Sequence, residues 1–291
     1  MEGYGLKQKL APLYVLGAGS LWGLMGMFVR HFNDLGLGSL EIGELRMIMG
    51  LVVTGGYLAI FHRELLKIRW RDLWCFAGTG IGSLLLMNWT YFTAMEHTSL
   101  AVAGVLLYTA PIFVMLLSAL LFRETITKRK VFALLLAFSG CAMVSGIGTD
   151  NQISGLGLIY GLGAGISYAM YSIFGRFAIR RGYGSWTITF YSFLFCAAAG
   201  AFVCDWHVAA AAVTEPVWVV LLGVVTAFAP YVLYSLGLTA MENSRASILA
   251  SIEPVVATLI SVFVFHEPMG VLSALGMGLV LTAIMLLANK N

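Results

Sequence analysis

The sequence predicts an all-α integral membrane protein, with ten transmembrane helices arranged as two inverted five-helix repeats. Three observations carry that expectation. Apolar residues make up 60% of the chain and charged residues 11%, where a soluble domain has about 45–50% and about 25%. A soluble core of this length could not hide so much apolar surface, and lipid is the better solvent for it. The lysines and arginines gather in alternate connections between the apolar runs. The two halves of the chain match each other at a nearly fixed offset.

A span needs roughly 17–25 mostly apolar residues. That window divides the first half into residues 11–29, 41–61, 72–95, 99–122 and 131–148. A polar break, Thr149-Asp150-Asn151-Gln152, follows, and the second half divides into 153–175, 185–204, 216–241, 244–265 and 269–289. The first run follows Lys7 and Lys9 and is longer than the roughly 7–15-residue core of a signal peptide, so it is expected to be a retained helix. Cys75, Cys141, Cys196 and Cys204 lie in or beside apolar runs without CxxC spacing. They are expected to be packing residues, with no disulfide framework and no metal site. The net charge of +3 is small, and no nucleic-acid partner is expected.

The basic residues choose the orientation. With the N-terminus inside, the inner segments hold Lys7 and Lys9; Arg63, Lys67, Arg69 and Arg71; Arg123, Lys128, Arg129 and Lys130; Arg176, Arg180 and Arg181; Arg245; and Lys290. Only Arg30 and Arg46 fall on the outer side. Short connections rich in Lys and Arg stay cytoplasmic, so both termini are expected in the cytoplasm and the break at Asp150 outside, in a cell membrane crossed many times. One missed or extra span would scramble this pattern.

The repeat is read from ordered identities. A shift of 143 residues places Tyr91 on Tyr234, Ala103 on Ala246, Pro111 on Pro254, Ser118 on Ser261, Phe122 on Phe265 and Glu124 on Glu267. Near the start of each half a shift of 146 places Gly17-Ala18-Gly19 on Gly163-Ala164-Gly165 and Arg30 on Arg176. The expected units are residues 1–148 and 153–291. Five spans is an odd number, so the second unit enters the membrane from the opposite side. Inverted repeats of this kind are a transporter architecture, with the binding site near mid-membrane between the halves.

Certain residues carry a family resemblance across nearly the whole chain. They are Gly19-Ser20-Leu21-Trp22-Gly23; Ala101-Val102-Ala103 through Pro111 to Arg123-Glu124; and Ser244-Arg245-Ala246-Ser247 through Glu253-Pro254 to His266-Glu267. In these the sequence resembles the drug/metabolite transporter superfamily, EamA-like branch. The resemblance implies a five-plus-five inverted repeat and a substrate cavity lined by the first, third, fourth, sixth, eighth and ninth spans. It implies little about substrate, since relatives carry amino acids, amines, other metabolites and drugs.

Symmetry then nominates residues. Trp22 pairs with Tyr168, Asn88 with Tyr231, Tyr91 with Tyr234 and Tyr108 with Ser251. Asn88/Tyr91, Tyr168/Tyr171 and Tyr231/Tyr234 are spaced i, i+3, so each couple shares a helix face. The expected site is an aromatic chamber with scattered hydrogen-bonding groups, fit for a small amphipathic molecule; the other reading is helix packing or an interfacial belt. Trp70, Trp74, Trp186, Trp206 and Trp218 lie near span ends and are expected to pack helices or sit in the interfacial belt.

Glu253 is a carboxylate well inside a span, where charge costs about 2.5–3.5 kcal/mol on insertion scales. It could couple transport to protons, pair with an amine-bearing substrate, or bond backbone freed by Pro254. Arg46 could meet a substrate carboxylate; its expected role is snorkelling to the outer interface. Glu124, Glu267, Pro111 and Pro254 are candidate gate or hinge positions. Gly157, Gly161 and Gly165 are expected to let helices approach closely.

The function expected is secondary transport of a small organic metabolite by alternating access, with export as the direction. The alternative is an uptake carrier for a cationic amine or quaternary ammonium compound. An enzyme is not expected: the five histidines fall at span ends or in loops, and His266-Glu267 does not continue into HExxH. Expected partners are the substrate, the lipid bilayer and, as a candidate coupling ion, the proton. No cofactor is expected, and the chain could act as a monomer or homodimer.

Overall fold

The computed structural model describes residues 2–146 and 154–288, with side chains from Lys9 onward. The polar break at residues 149–152 lies outside them. Every regular element among the described residues is a helix.

In the first half α1 (Glu2–Gly23) joins α2 (Met25–Asp34) at Leu24, and α3 (Ser39–Phe61) follows. Two 3-10 turns lead to α4 (Leu73–Thr79), which passes through a π-helical stretch, Gly80–Leu85, into α5 (Leu86–His97). Then come α6 (Leu100–Leu107), α7 (Ala110–Phe122) and α8 (Lys128–Val144). The second half holds α9 (Gly155–Arg180), α10 (Ser185–Gly200), the short α11 (Trp206–Ala209) and α12 (Pro216–Gly223). A second π-helical stretch, Val224–Phe228, connects α12 to α13 (Ala229–Ala240). The chain ends with α14 (Asn243–Leu249), α15 (Ile252–Val264) and α16 (Val271–Ala288).

Local chemistry sets these limits. Ser99, Thr127 and Ser154 cap α6, α8 and α9 by accepting the N–H of Val102, Lys130 and Gly157, which satisfies amides that have no partner in the first turn. Pro111 and Pro254 sit where they cannot donate to Leu107 and Ala250. The helices break there, between α6 and α7 and between α14 and α15. Pro230, inside α13, likewise removes a donor just after the second π-helical stretch. Irregularities recur at matched positions in the two halves. The π-helical stretches and the breaks at Tyr108-Thr109 and Ala250-Ser251 stand about 143 residues apart. So do the two left-handed residues that end α7 and follow α15, Arg123 (φ 59°) and His266 (φ 54°).

Seven helical runs among the described residues are long and apolar enough to cross a bilayer: Lys9–Asp34, Ser39–Phe61, Leu100–Phe122, Gly155–Arg180, Pro216–Ala240, Asn243–Val264 and Val271–Ala288. The other three spans expected from sequence are also helical, but shorter or interrupted. α8 has 17 residues and α10 has 16, while the run from α4 to α5 is divided by its π-helical stretch. Several connections are shorter than the sequence reading placed them: Arg30 lies on α2, and Arg176 and Arg180 lie on α9.

α9 packs on α4, α5, α6 and α7, while α1 packs on α13 and α15, α3 on α10 and α12, and α8 on α16. The expected close approach of α9 is present: a Cβ on Gly161 would strike Leu106, and one on Gly165 would strike Thr109 and the Leu106 carbonyl. Large apolar side chains such as Ile60, Leu120, Ile159, Phe263 and Leu275 are more than half exposed on the outside of the bundle. Apolar patches on that scale are not left to water. The molecule is a multi-pass integral membrane protein.

Candidate substrate site

The contact of α1 with α15 builds the site. A Cβ on Gly19 would strike the Ala250 carbonyl and Ile252, and one on Gly23 would strike the Glu253 carbonyl and Val256. With no side chain at either position, the helices close up and hold Trp22 against the bundle centre, 6% exposed. Its ring centroid lies 6.2 Å from Tyr168, 5.1 Å from Tyr231 and 5.4 Å from Tyr234. These edge-on and tilted arrangements are the ones aromatic pairs prefer. Tyr171 stands behind them, 5.1 Å from Tyr231, with its hydroxyl 3.0 Å from Ser235 Oγ. Tyr234 Oη lies 2.8 Å from Ser172 Oγ.

Two cavities adjoin this cluster. One, a narrow space of about 20 Å³, is lined by Tyr108, Ala110, Pro111, Val114, Tyr168, Ser172, Tyr234, Ser247, Ala250, Ser251 and Glu253. The broken turns before α7 and α15 therefore both face it. The other, about 70 Å³, is lined by Trp22, Met25, Arg46, Met87, Leu107, Tyr168, Tyr231 and Glu253. Tyr168 and Glu253 border both, and the Tyr168 hydroxyl donates to Glu253 Oε2 at 3.5 Å. Backbone capping by Glu253, one of the roles open from sequence, is not what the geometry has. Among the described residues its carboxylate bonds no backbone group, and the Ala250 carbonyl freed by Pro254 instead accepts Glu253's own N–H at 3.1 Å.

Arg46 corrects the sequence reading. It does not snorkel: it is 7% exposed and lines the second cavity. α10 and α12 pack along α3, and the side chain turns into the bundle to line the cavity. Its Nη1 lies 3.6 Å from Met25 Sδ, and its Nε has no partner among the described residues. The Trp22 indole N–H is likewise unpartnered among them.

The structure gathers Trp22, Tyr108, Tyr168, Tyr231, Tyr234, Ser251 and Glu253 around the two cavities. Tyr171 packs behind the ring cluster. Asn88 lies against Gly43 of α3 and lines a separate cleft with Glu44, Cys196 and Cys204. Tyr91 has its ring contact with Phe92, at 5.9 Å, and borders neither cavity. Sequence reasoning did not nominate Met25, Met87 or Ser172 for the site, nor Ser247, which it read only within the family motif; methionine carries no polar signal, and a serine hydroxyl inside a helix can bond its own backbone. The signal for Arg46 was present, since a charge inside an apolar span points to the bundle interior by default.

The two gate candidates differ. Glu124 accepts hydrogen bonds from the N–H of Asn243 at 2.8 Å, the N–H of Ser244 at 3.1 Å and the Ser244 hydroxyl at 2.7 Å, so it caps α14. Glu267 instead pairs with Arg30 and accepts from the Ser261 hydroxyl. These two bonds, Ser261 foremost, hold its carboxyl below the ordinary range.

A helical membrane bundle with cavities lined by aromatic and charged side chains from several helices is suited to holding a small molecule inside the bilayer. Residues 9–146, and again residues 155–289, match the EamA-like transporter family, and the chain belongs to that family. An uncharacterized transporter of Archaeoglobus fulgidus is 29% identical over 91% of this chain and 92% of its own length. The uncharacterized transporter YwfM of Bacillus subtilis is 24% identical over 97% of this chain and 95% of its own. A solved crystal structure superposes with a TM-score of 0.78, covering 95% of both chains at 19% identity, a likeness of fold. Family membership makes the protein a transporter and not an enzyme. Among the described residues, no three His, Cys, Asp or Glu side chains gather as a metal site would require.

Proposed function

We propose that the chain is a secondary transporter for a small organic metabolite, built from ten spans in two inverted halves (residues 1–148 and 153–291) and working by alternating access. The paired π-helical stretches, the paired helix breaks and the paired left-handed turns support the repeat. Basic residues in alternate connections support cytoplasmic termini in a cytoplasmic membrane. The observation that carries the reading is the pair of cavities meeting at Tyr168 and Glu253, walled by helices from both halves. In this reading the substrate lies among Trp22, Tyr168, Tyr231 and Tyr234. Glu124 latches the cytoplasmic end by holding the start of α14, and the helix breaks at Pro111 and Pro254 let α7 and α15 tilt. Export is the proposed direction and rests on the family resemblance. A carrier of simple cations is disfavoured by Arg46, which shares the second cavity with Glu253.

Proteoliposomes test the reading. Purified protein should exchange a labelled metabolite against an excess of the unlabelled compound on the other side. Flux that is not stimulated from the opposite side would mean a channel, and no flux with any compound in a broad metabolite panel would overturn the assignment.

A further inference from the structure

Arg46 and Glu253 face the same cavity from α3 and α15, and among the described residues no ion pair joins them or binds either to a third residue. The Arg46 guanidinium has a methionine sulfur as its hydrogen-bonding contact, a weak acceptor. The Glu253 carboxylate has one long hydrogen bond from a tyrosine. Inside a bilayer a buried charge without a counter-charge is costly, so such groups pair with one another or mark a substrate path. The Arg46 charge acts on Glu253 across the cavity they share, but among the described residues no hydrogen bond or ion pair closes between them.

We infer that they are opposite poles of one binding site, which selects a substrate carrying both a carboxylate and an ammonium group. Arg46 presents a planar fork of donors that fits a carboxylate through two parallel hydrogen bonds. Glu253 accepts from the ammonium group. Trp22, Tyr168 and Tyr231 supply flat apolar walls, and Met25 and Met87 supply soft, adaptable ones. A zwitterion with an apolar side chain satisfies both charges and fills the rest. An amine alone leaves Arg46 unpaired, and an acid alone leaves Glu253 unpaired. The inference deepens the transporter reading and rests on it.

The test is binding by calorimetry to purified protein, with leucine and phenylalanine as probes. Each is compared with its decarboxylated amine (isoamylamine, phenethylamine) and its deaminated acid (4-methylpentanoate, 3-phenylpropionate). The wild-type protein should bind at least one zwitterion roughly tenfold or more tightly than its amine and its acid, since each charged contact is lost in turn. Arg46→Gln should erase the preference over the amine and keep that over the acid; Glu253→Gln should do the reverse. Should Arg46→Gln fail to fold, Arg46→Lys serves, and it should weaken the zwitterion more than the amine. Equal binding of zwitterion and amine by the wild type, or an equal loss for both in the Arg46 variant, would overturn the two-pole site. Exchange of a metabolite that is not zwitterionic in the proteoliposome panel, without zwitterion binding, overturns this inference and leaves the transporter reading standing. Absence of exchange with every compound overturns both.

Discussion

At the scale of single residues, the outcome turns on what each polar group finds inside the bundle. The aromatic positions were legible because a tyrosine or tryptophan in an apolar span needs a partner for its polar end, and symmetry pointed to the same ones. Their division into lining and packing was not legible. Tyr168 and Tyr171 share a helix face by spacing, yet Tyr168 borders both cavities while Tyr171 turns to Ser235. Two predictions separate these roles. Trp22→Ala and Tyr234→Ala should each weaken substrate binding by about 1–3 kcal/mol with the protein still expressed and folded; wild-type affinity in both would return these rings to packing. Tyr171→Phe should lower thermal stability in detergent by about 1 kcal/mol, because the buried Ser235 hydroxyl loses its partner. An unchanged melting temperature would mean that bond contributes nothing.

At the scale of elements, the apolar runs gave helices in every expected place, but not their interruptions. Proline foretold the breaks at Pro111 and Pro254. The π-helical stretches had no such clear mark: Gly80 and Gly82 fall within the first, and Pro230 follows the second. The helix ends also carried chemistry that spacing alone could not rank. Glu124 and Glu267 occupy matched positions, yet Glu124 caps α14 while Glu267 pairs with Arg30 and Ser261. Because those bonds lower the Glu267 pKa in the folded protein, the carboxylate contributes stability above the ordinary carboxylate value of about 4.3. That contribution is lost as the pH falls through the lower, folded value. The difference in thermal stability between wild type and Glu267→Gln should therefore be present at neutral pH and vanish in strong acid. A difference that persists in acid would show that shape, and not charge, holds that turn.

At the scale of the whole molecule, the long apolar runs made a multi-pass helical membrane protein legible, because bilayer thickness is a long-range constraint that a sequence cannot evade; the inverted repeat and the orientation remain part of the proposed account. The different roles of the matched Glu124 and Glu267 were not legible, since only the folded contacts distinguish them. In the proposed account the cytoplasmic end is latched by Glu124, and the cavities open from the other face. The topology itself can be checked in intact cells, where a cysteine placed at Asn151 should react with a membrane-impermeant thiol reagent and one at Lys128 should not. The most direct test of the account is the sidedness of Ser247, which lines the first cavity. In a protein freed of its own four cysteines, Ser247→Cys should react with an impermeant reagent applied from outside and scarcely from the cytoplasmic side. Adding Glu124→Gln should reverse that order. Equal reaction from both sides, or none from either side in both proteins, would contradict a single cavity that opens alternately.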